Sequence, residues 1–199
     1  MPTDFPSIDP VLTIALIGAT PIAEQIASAA LRAGLKVIID DVSDTRLQAI
    51  SLNLRAVVRA QDSCAPGPQD QSDSPQSGFS SSFSTIPNLH LTQSIDRAIR
   101  SADFLIDTLP DDLEVKLELF TLFDKFSKPN AIFVTTGSIP IDDLAAITFC
   151  PDRCLAIRLT TSPNAVTPTF NLIPAQQTSP QTLAKCTHLF LQLLAFHPK

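Results

Sequence analysis

The sequence predicts an α/β fold: a doubly wound, mostly parallel sheet with helices on both faces. Three observations carry that expectation. Apolar runs such as VLTIALI (11–17) and LKVIID (35–40) are continuous, as in strands buried on both faces. Segments of helical periodicity separate these runs, and strands joined through helices pair in parallel. Gly18 ends the first strand and opens the first helix with no loop between them, which is the tight turn of a nucleotide-binding unit.

The elements follow in order. After the strand 11–17, a helix places Ile22, Ile26, Ala29, Ala30 and Ala33 on one stripe, and Gly34 stops it. The strand 35–40 ends in Asp40 and Asp41, and a helix over 43–60 starts from Ser43 or Asp44 as N-cap. The 24 residues from 62 to 85 include eight Ser and three Pro, a mixture that buries too little apolar surface to offset its ordering entropy. A disordered insertion over about 62–86 is therefore expected. Order resumes with a strand at 89–94, a short helix, and a strand at 103–109. A helix over 110–126 then carries Pro110 at its start and acids in its first turn. Strands at 131–136, 154–160 and 169–174 and a short helix at 141–147 lead to a closing helix over 179–196, capped by Ser179. The domain so described covers 11–199, after an acidic, proline-rich stretch 1–10 that reads as a flexible tail.

Composition narrows the function. A net charge of −6 argues against nucleic-acid binding but not against phosphate binding at one helix terminus. No apolar run approaches the ~18 residues of a membrane span. The N-terminus has neither the basic start nor the apolar centre of a signal peptide, so a cytoplasmic location is expected. Of the four cysteines, Cys150 and Cys154 are spaced for a metal, but no His lies near them in sequence. Reduced thiols and no metal are the expectation, with Cys64 and Cys186 read likewise.

The chemistry of a parallel sheet lies beyond the carboxyl ends of its strands. At the first of these, the dinucleotide fingerprint G-x-G-x-x-G reads Gly18, Thr20, Ala23. Gly18 permits the turn, and Ala is accepted at the third position. Thr20 puts a branched side chain where pyrophosphate approaches bare backbone, and Pro21 removes an N–H. About 20 residues on, Asp40 and Asp41 offer the carboxylate that holds an adenosine ribose, which favours NAD over NADP.

These residues, together with GLKVIIDDVSD, SADFLIDTLPDDLEVKLELF, AIFVTTGSIPIDDLA and PAQQTSPQTLAKC, give the chain a resemblance to the N-terminal NAD-binding domain of the 3-hydroxyacyl-CoA dehydrogenases. The resemblance runs from about Leu12 to Pro198, interrupted at the serine-rich segment. It implies a Rossmann-like domain, NAD as cofactor, and reversible oxidation of a 3-hydroxyacyl-CoA. In the family a helical domain follows, used for dimerisation and to complete the active site; this chain is expected to lack it. By resemblance, the cofactor positions are Gly18, Thr20, Asp41, Asp111 (replacing the family's Glu) and Lys116. Ser138 matches the serine that hydrogen-bonds substrate oxygen, although the asparagine of that motif is Thr136 and the segment is one residue shorter.

The family's general base, a His, has no counterpart. Its position falls on Arg158 or Leu159 depending on the direction of counting, and its orienting Glu falls on Asn171. Arg stays protonated and cannot shuttle a proton at neutral pH. His90, His188 and His197 read as surface or packed residues rather than relocated bases. No Lys or Arg occurs from Ala60 to Asp96, where the family supplies lysines to the CoA phosphates, so acyl-CoA recognition is expected to be weakened. The sequence thus leads to an NAD(H)-binding domain without a catalytic pair. Its alternatives are a weakly active or partner-complemented NAD-dependent oxidoreductase, in which a protein partner or second copy takes part, and an interaction module that binds no nucleotide.

Overall fold

The structure, a computed structural model, describes residues 12–62, 86–160 and 169–195. The tail 1–10, Cys64, His197 and nearly all of the insertion predicted at 62–86 lie outside the described residues. Seven strands form one sheet in the order β3-β2-β1-β4-β5-β6-β7. They are β1 (Thr13–Ile17), β2 (Lys36–Asp40), β3 (Leu89–Thr92), β4 (Phe104–Asp107), β5 (Ile132–Thr136), β6 (Cys154–Thr160) and β7 (Thr169–Pro174). All neighbours pair in parallel except β6 and β7. The antiparallel edge follows from the short span between Thr160 and Thr169, since a parallel pairing needs a crossover of about a dozen residues or more.

Alternation along the strands divides the core into two layers. Ile14, Leu16, Val37, Ile39, Phe104 and Ile106 face α1 (Pro21–Arg32), α2 (Asp44–Asp62) and α6 (Pro180–Ala195). Ala15, Ile17, Ile38, Leu105 and Phe133 face α3 (Ile95–Ser101), α4 (Leu113–Phe126) and α5 (Ile141–Ala145). On that second face Phe120, Phe123 and Phe133 pack ring against ring, with centroids 5.5–6.2 Å apart. Both faces are therefore covered, which explains why the central strands read as unbroken apolar runs.

One boundary differs from the sequence reading for a local reason. The helix expected from Pro110 begins three residues later, because Asp112 is the N-cap and accepts the N–H of Val115 at 3.2 Å. The residues 108–111 are thereby released as a loop over the strand ends, where the chemistry of such a sheet is placed. Ser179 caps α6 as expected, its hydroxyl accepting the N–H of Thr182. Cys150, Cys154 and Cys186 are buried free thiols, and burial pushes each up to about 12. Among the described residues no group of three His, Cys, Asp or Glu side chains is placed to hold a metal. No described helix is long and apolar enough to cross a membrane. His90 and His188 are exposed.

Candidate functional site

Gly18 adopts φ +104°, a conformation that L side chains rarely reach. Its surroundings are also closed: a Cβ there would lie 2.9 Å from Leu109 Cδ2 and 3.1 Å from Thr108 Oγ1. Thr108 was not singled out from sequence, yet its hydroxyl ties the turn to β4, within 2.9 Å of the Ile17 carbonyl and 2.8 Å of the Gly18 carbonyl. Thr20 is the N-cap of α1, and its Oγ1 accepts the Ala23 N–H at 3.2 Å. Its branched side chain is thus turned back onto the helix, satisfying a donor that would otherwise face a ligand. Pro21 at N1 has no N–H to offer. In the first turn, the amides of Thr20 and Ile22 remain for an anion.

At the end of β2, two adjacent carboxylates have opposite surroundings. Asp41 is 5% exposed and saturated. It accepts the Ala19 N–H at 2.8 Å, the Ser43 N–H at 2.7 Å, and Arg46 Nη2 at 2.6 Å and Nε at 3.0 Å. Burial alone would raise its pKa, but the Arg46 hydrogen bond and the two backbone N–H groups outweigh it and hold the carboxyl below its ordinary value. Asp40 is equally buried, and its Oδ1 has no hydrogen-bond partner. Desolvation, reinforced by the charge of Asp41, pushes Asp40 up to about 6. Arg46, five residues beyond Asp41 on the first turn of α2, was also missed; a cation one turn into the helix that follows an acidic strand end is its only sequence signal.

Lys116 enters the sheet rather than the solvent. It is fully buried, and its Nζ donates to Asp107 Oδ2 at 2.6 Å and to the carbonyls of Leu109 and Thr136 at 3.0 and 3.1 Å. Thr135 Oγ1 donates to the same Asp107 oxygen at 2.7 Å, and the Leu109 N–H fills the other at 2.9 Å. The ends of β4 and β5 are thereby joined through one buried ion pair.

Above this pair lies Asp111. Its Oδ2 accepts both the hydroxyl of Ser138 at 2.6 Å and the Ser138 N–H at 2.9 Å. Those two bonds, with smaller contributions from Lys116 and Arg158, hold the Asp111 carboxyl below its ordinary value. The contact requires Gly137, which has φ +105° and on which a Cβ would fall against the Asp111 carboxylate. Farther along, β6 and β7 pair Arg158 with Asn171 and Leu159 with Phe170. Arg158 is exposed on the same face as Ala156, whereas Leu159 packs into the opposite core layer. Of the two positions, Arg158 and not Leu159 stands opposite Asn171.

The structure brings Asp111, Ser138, Arg158 and Asn171 to the ends of β4–β7, and Gly18, Thr20 and Asp41 to the ends of β1 and β2. Lys116 is held on Asp107 and the Leu109 and Thr136 carbonyls at the ends of β4 and β5. The chain matches the model of the family described as "3-hydroxyacyl-CoA dehydrogenase, NAD binding domain" over residues 13–194. It is 23% identical over 172 residues to a 5-formyl-3-hydroxy-2-methylpyridine 4-carboxylate 5-dehydrogenase of Mesorhizobium japonicum, covering 86% of this chain and 51% of that one. It is 24% identical over 191 residues to an L-carnitine dehydrogenase of Pseudomonas putida, covering 95% and 54% of the two chains. Among solved structures, the (S)-3-hydroxybutyryl-CoA dehydrogenase of Ralstonia eutropha superposes with a TM-score of 0.72 at 22% identity, covering 93% of this chain and 62% of that one. The chain thus spans about half of the length of these two curated relatives.

Proposed function

Because the chain belongs to the NAD-binding domain family of the 3-hydroxyacyl-CoA dehydrogenases, we propose that it binds NAD(H) and that its described residues carry no hydride transfer of their own. The observation that carries this reading is the pairing of Arg158 with Asn171 across β6 and β7. By resemblance Asn171 is the position of the orienting acid, and Arg158 is the one of the two positions given for the base, Arg158 or Leu159, that stands opposite it. A guanidinium has no lone pair to accept a proton, and an amide cannot stabilise an imidazolium as a carboxylate does. Removal of a general base costs about 10²–10⁴-fold in rate.

The cofactor end supports the nucleotide half of the reading. Gly18 makes the turn, Thr20 caps the helix N-terminus that would meet a phosphate, and Asp41 stays ionised for a ribose diol once Arg46 yields its hold. NAD, when bound, would supply the hydride chemistry; these residues bind and orient it.

The test is direct, because the protein contains neither Trp nor Tyr and NADH fluorescence is read without protein background. NADH binds with a dissociation constant below about 1 mM, and acetoacetyl-CoA causes no oxidation of the bound NADH. Lack of binding at millimolar NADH would leave the interaction module as the better reading. Turnover at a rate typical of dehydrogenases would restore the enzyme. A second reading, complementation by a partner chain, is favoured by one observation: Leu113 and Val115, on the first turn of α4 next to Asp111, are 48% and 42% exposed. Turnover that appears only with an added helical partner would select it.

A further inference from the structure

We propose that the ends of β5 and β6 form a receptor for the carboxylate of a small organic acid, and that Asp111 plugs it with its own carboxylate. This goes beyond the nucleotide reading and does not require it. Two donors of one residue, the Ser138 hydroxyl and N–H, converge on a single Asp111 oxygen at 2.6 and 2.9 Å. Convergent donors on one anionic oxygen make a short, charge-assisted contact. The occupant already present is a carboxylate on one methylene, which sets the size and chemistry of what the receptor takes.

Three further features fit that use. Thr136 of β5 pairs with Ile157 of β6, so the next residues along these parallel strands, Gly137 and Arg158, are neighbours. Arg158 is exposed, and among the described residues it has no ion-pair partner within 4.0 Å, unlike Arg46, Arg100, Lys116 and Lys128. Its guanidinium supplies the positive field, and the field reaches Asp111, lowering its pKa. Asn171, opposite Arg158 and on the same face, adds an amide. The side chain missing at Gly137 opens the space that the plug fills.

Exchange of Asp111 for a ligand carboxylate leaves the site with one anion facing one guanidinium. Asp111 itself is exposed and can move into water. The thioester end of an acyl-CoA has no carboxylate to offer Arg158. As an intramolecular competitor the plug acts at an effective concentration on the order of millimolar, so the native chain holds a free acid only weakly.

The experiment is calorimetric titration of the full chain with acetoacetate, using methyl acetoacetate as the uncharged control. Asp111→Ala is expected to bind acetoacetate about tenfold more tightly than the native chain. Adding Arg158→Gln to that variant should reverse the gain by about the same factor. The ester should bind neither. Denaturation midpoints of both variants verify that they fold, and Asp111→Ser provides a second unplugged form. Equal affinity in the native chain and both unplugged variants, or equal binding of ester and acid, overturns the receptor. A parallel NADH titration keeps the two readings apart: NADH binding without acetoacetate binding overturns only the receptor.

Discussion

The ends of β4 and β2 each bury an aspartate, and the two have different fates. Asp107, fully buried, meets Lys116, Thr135 and the Leu109 N–H, so each of its oxygens has a partner. Asp40, 5% exposed, lies beside another carboxylate and leaves Oδ1 unpartnered. Equal burial therefore has opposite consequences. A buried charge with a saturated shell becomes scaffold, whereas one without it resists ionisation. Lys116, which resemblance places in the cofactor region, lies on the scaffold side of this contrast. Asp111 is a third case, exposed and able to exchange its partners.

The largest effect is expected from turning the first site into the second. Lys116→Met leaves Asp107 buried without its cation and should cost about 3–5 kcal/mol in urea unfolding. Adding Asp107→Asn should recover part of that loss, because the uncompensated charge goes with it. A cost below about 1 kcal/mol, the scale of an exposed pair, would break the contrast.

The next effect concerns Asp40. Its carboxyl titrates near 3.8 in the unfolded chain and at about 6 in the fold. Between those values the folded protein retains a proton that the unfolded chain has lost, so stability falls as pH rises through this window. Above it both states are ionised and the full cost remains. Asp40→Asn should therefore stabilise the protein by about 2 kcal/mol at neutral pH and by much less near pH 4. Asp41 has the opposite sign: its contribution is present above its ordinary value and is lost as pH falls. Denaturation midpoints of Asp40→Asn across this range give the test, and a gain independent of pH would assign the effect to packing.

The smallest effect sharpens the cofactor turn. Thr20→Ala removes the cap of α1 and should cost about 1 kcal/mol, whereas Thr20→Gly should cost only a few tenths. The glycine variant also frees the Ala23 N–H at the place where phosphate would approach. NADH affinity should therefore rise by about threefold to tenfold in Thr20→Gly. Unchanged affinity would mean that Thr20 does not compete with the ligand for that donor.

Much of the fold is legible in local patterns. Continuous apolar strands report burial on both faces, and Ser179 reports a helix start because a cap is satisfied within one turn. The helix at 110–126 was read too early because Pro110 and Asp112 are both acceptable openers, and only the Asp112–Val115 hydrogen bond decides between them. Gly18, Asp41, Ser138 and the Arg158/Leu159 alternative were also legible, since each occupies a strand end. What those side chains face was not.

The sequence by itself determined the alternating order of strands and helices, the turn at Gly18, and the residue types at the strand ends. Periodicity, capping and glycine act over a few neighbouring residues, so they can be read from the chain. The tertiary structure alone decided that Lys116 is buried on Asp107, that Arg46 holds Asp41, that Arg158 faces Asn171, and that Asp111 covers Ser138. Apart from the short Asp41–Arg46 and Asp107–Lys116 spacings, these contacts join residues on, or just beyond, different strands. Even the short ones depend on desolvation and direction, and those exist only when the sheet is assembled.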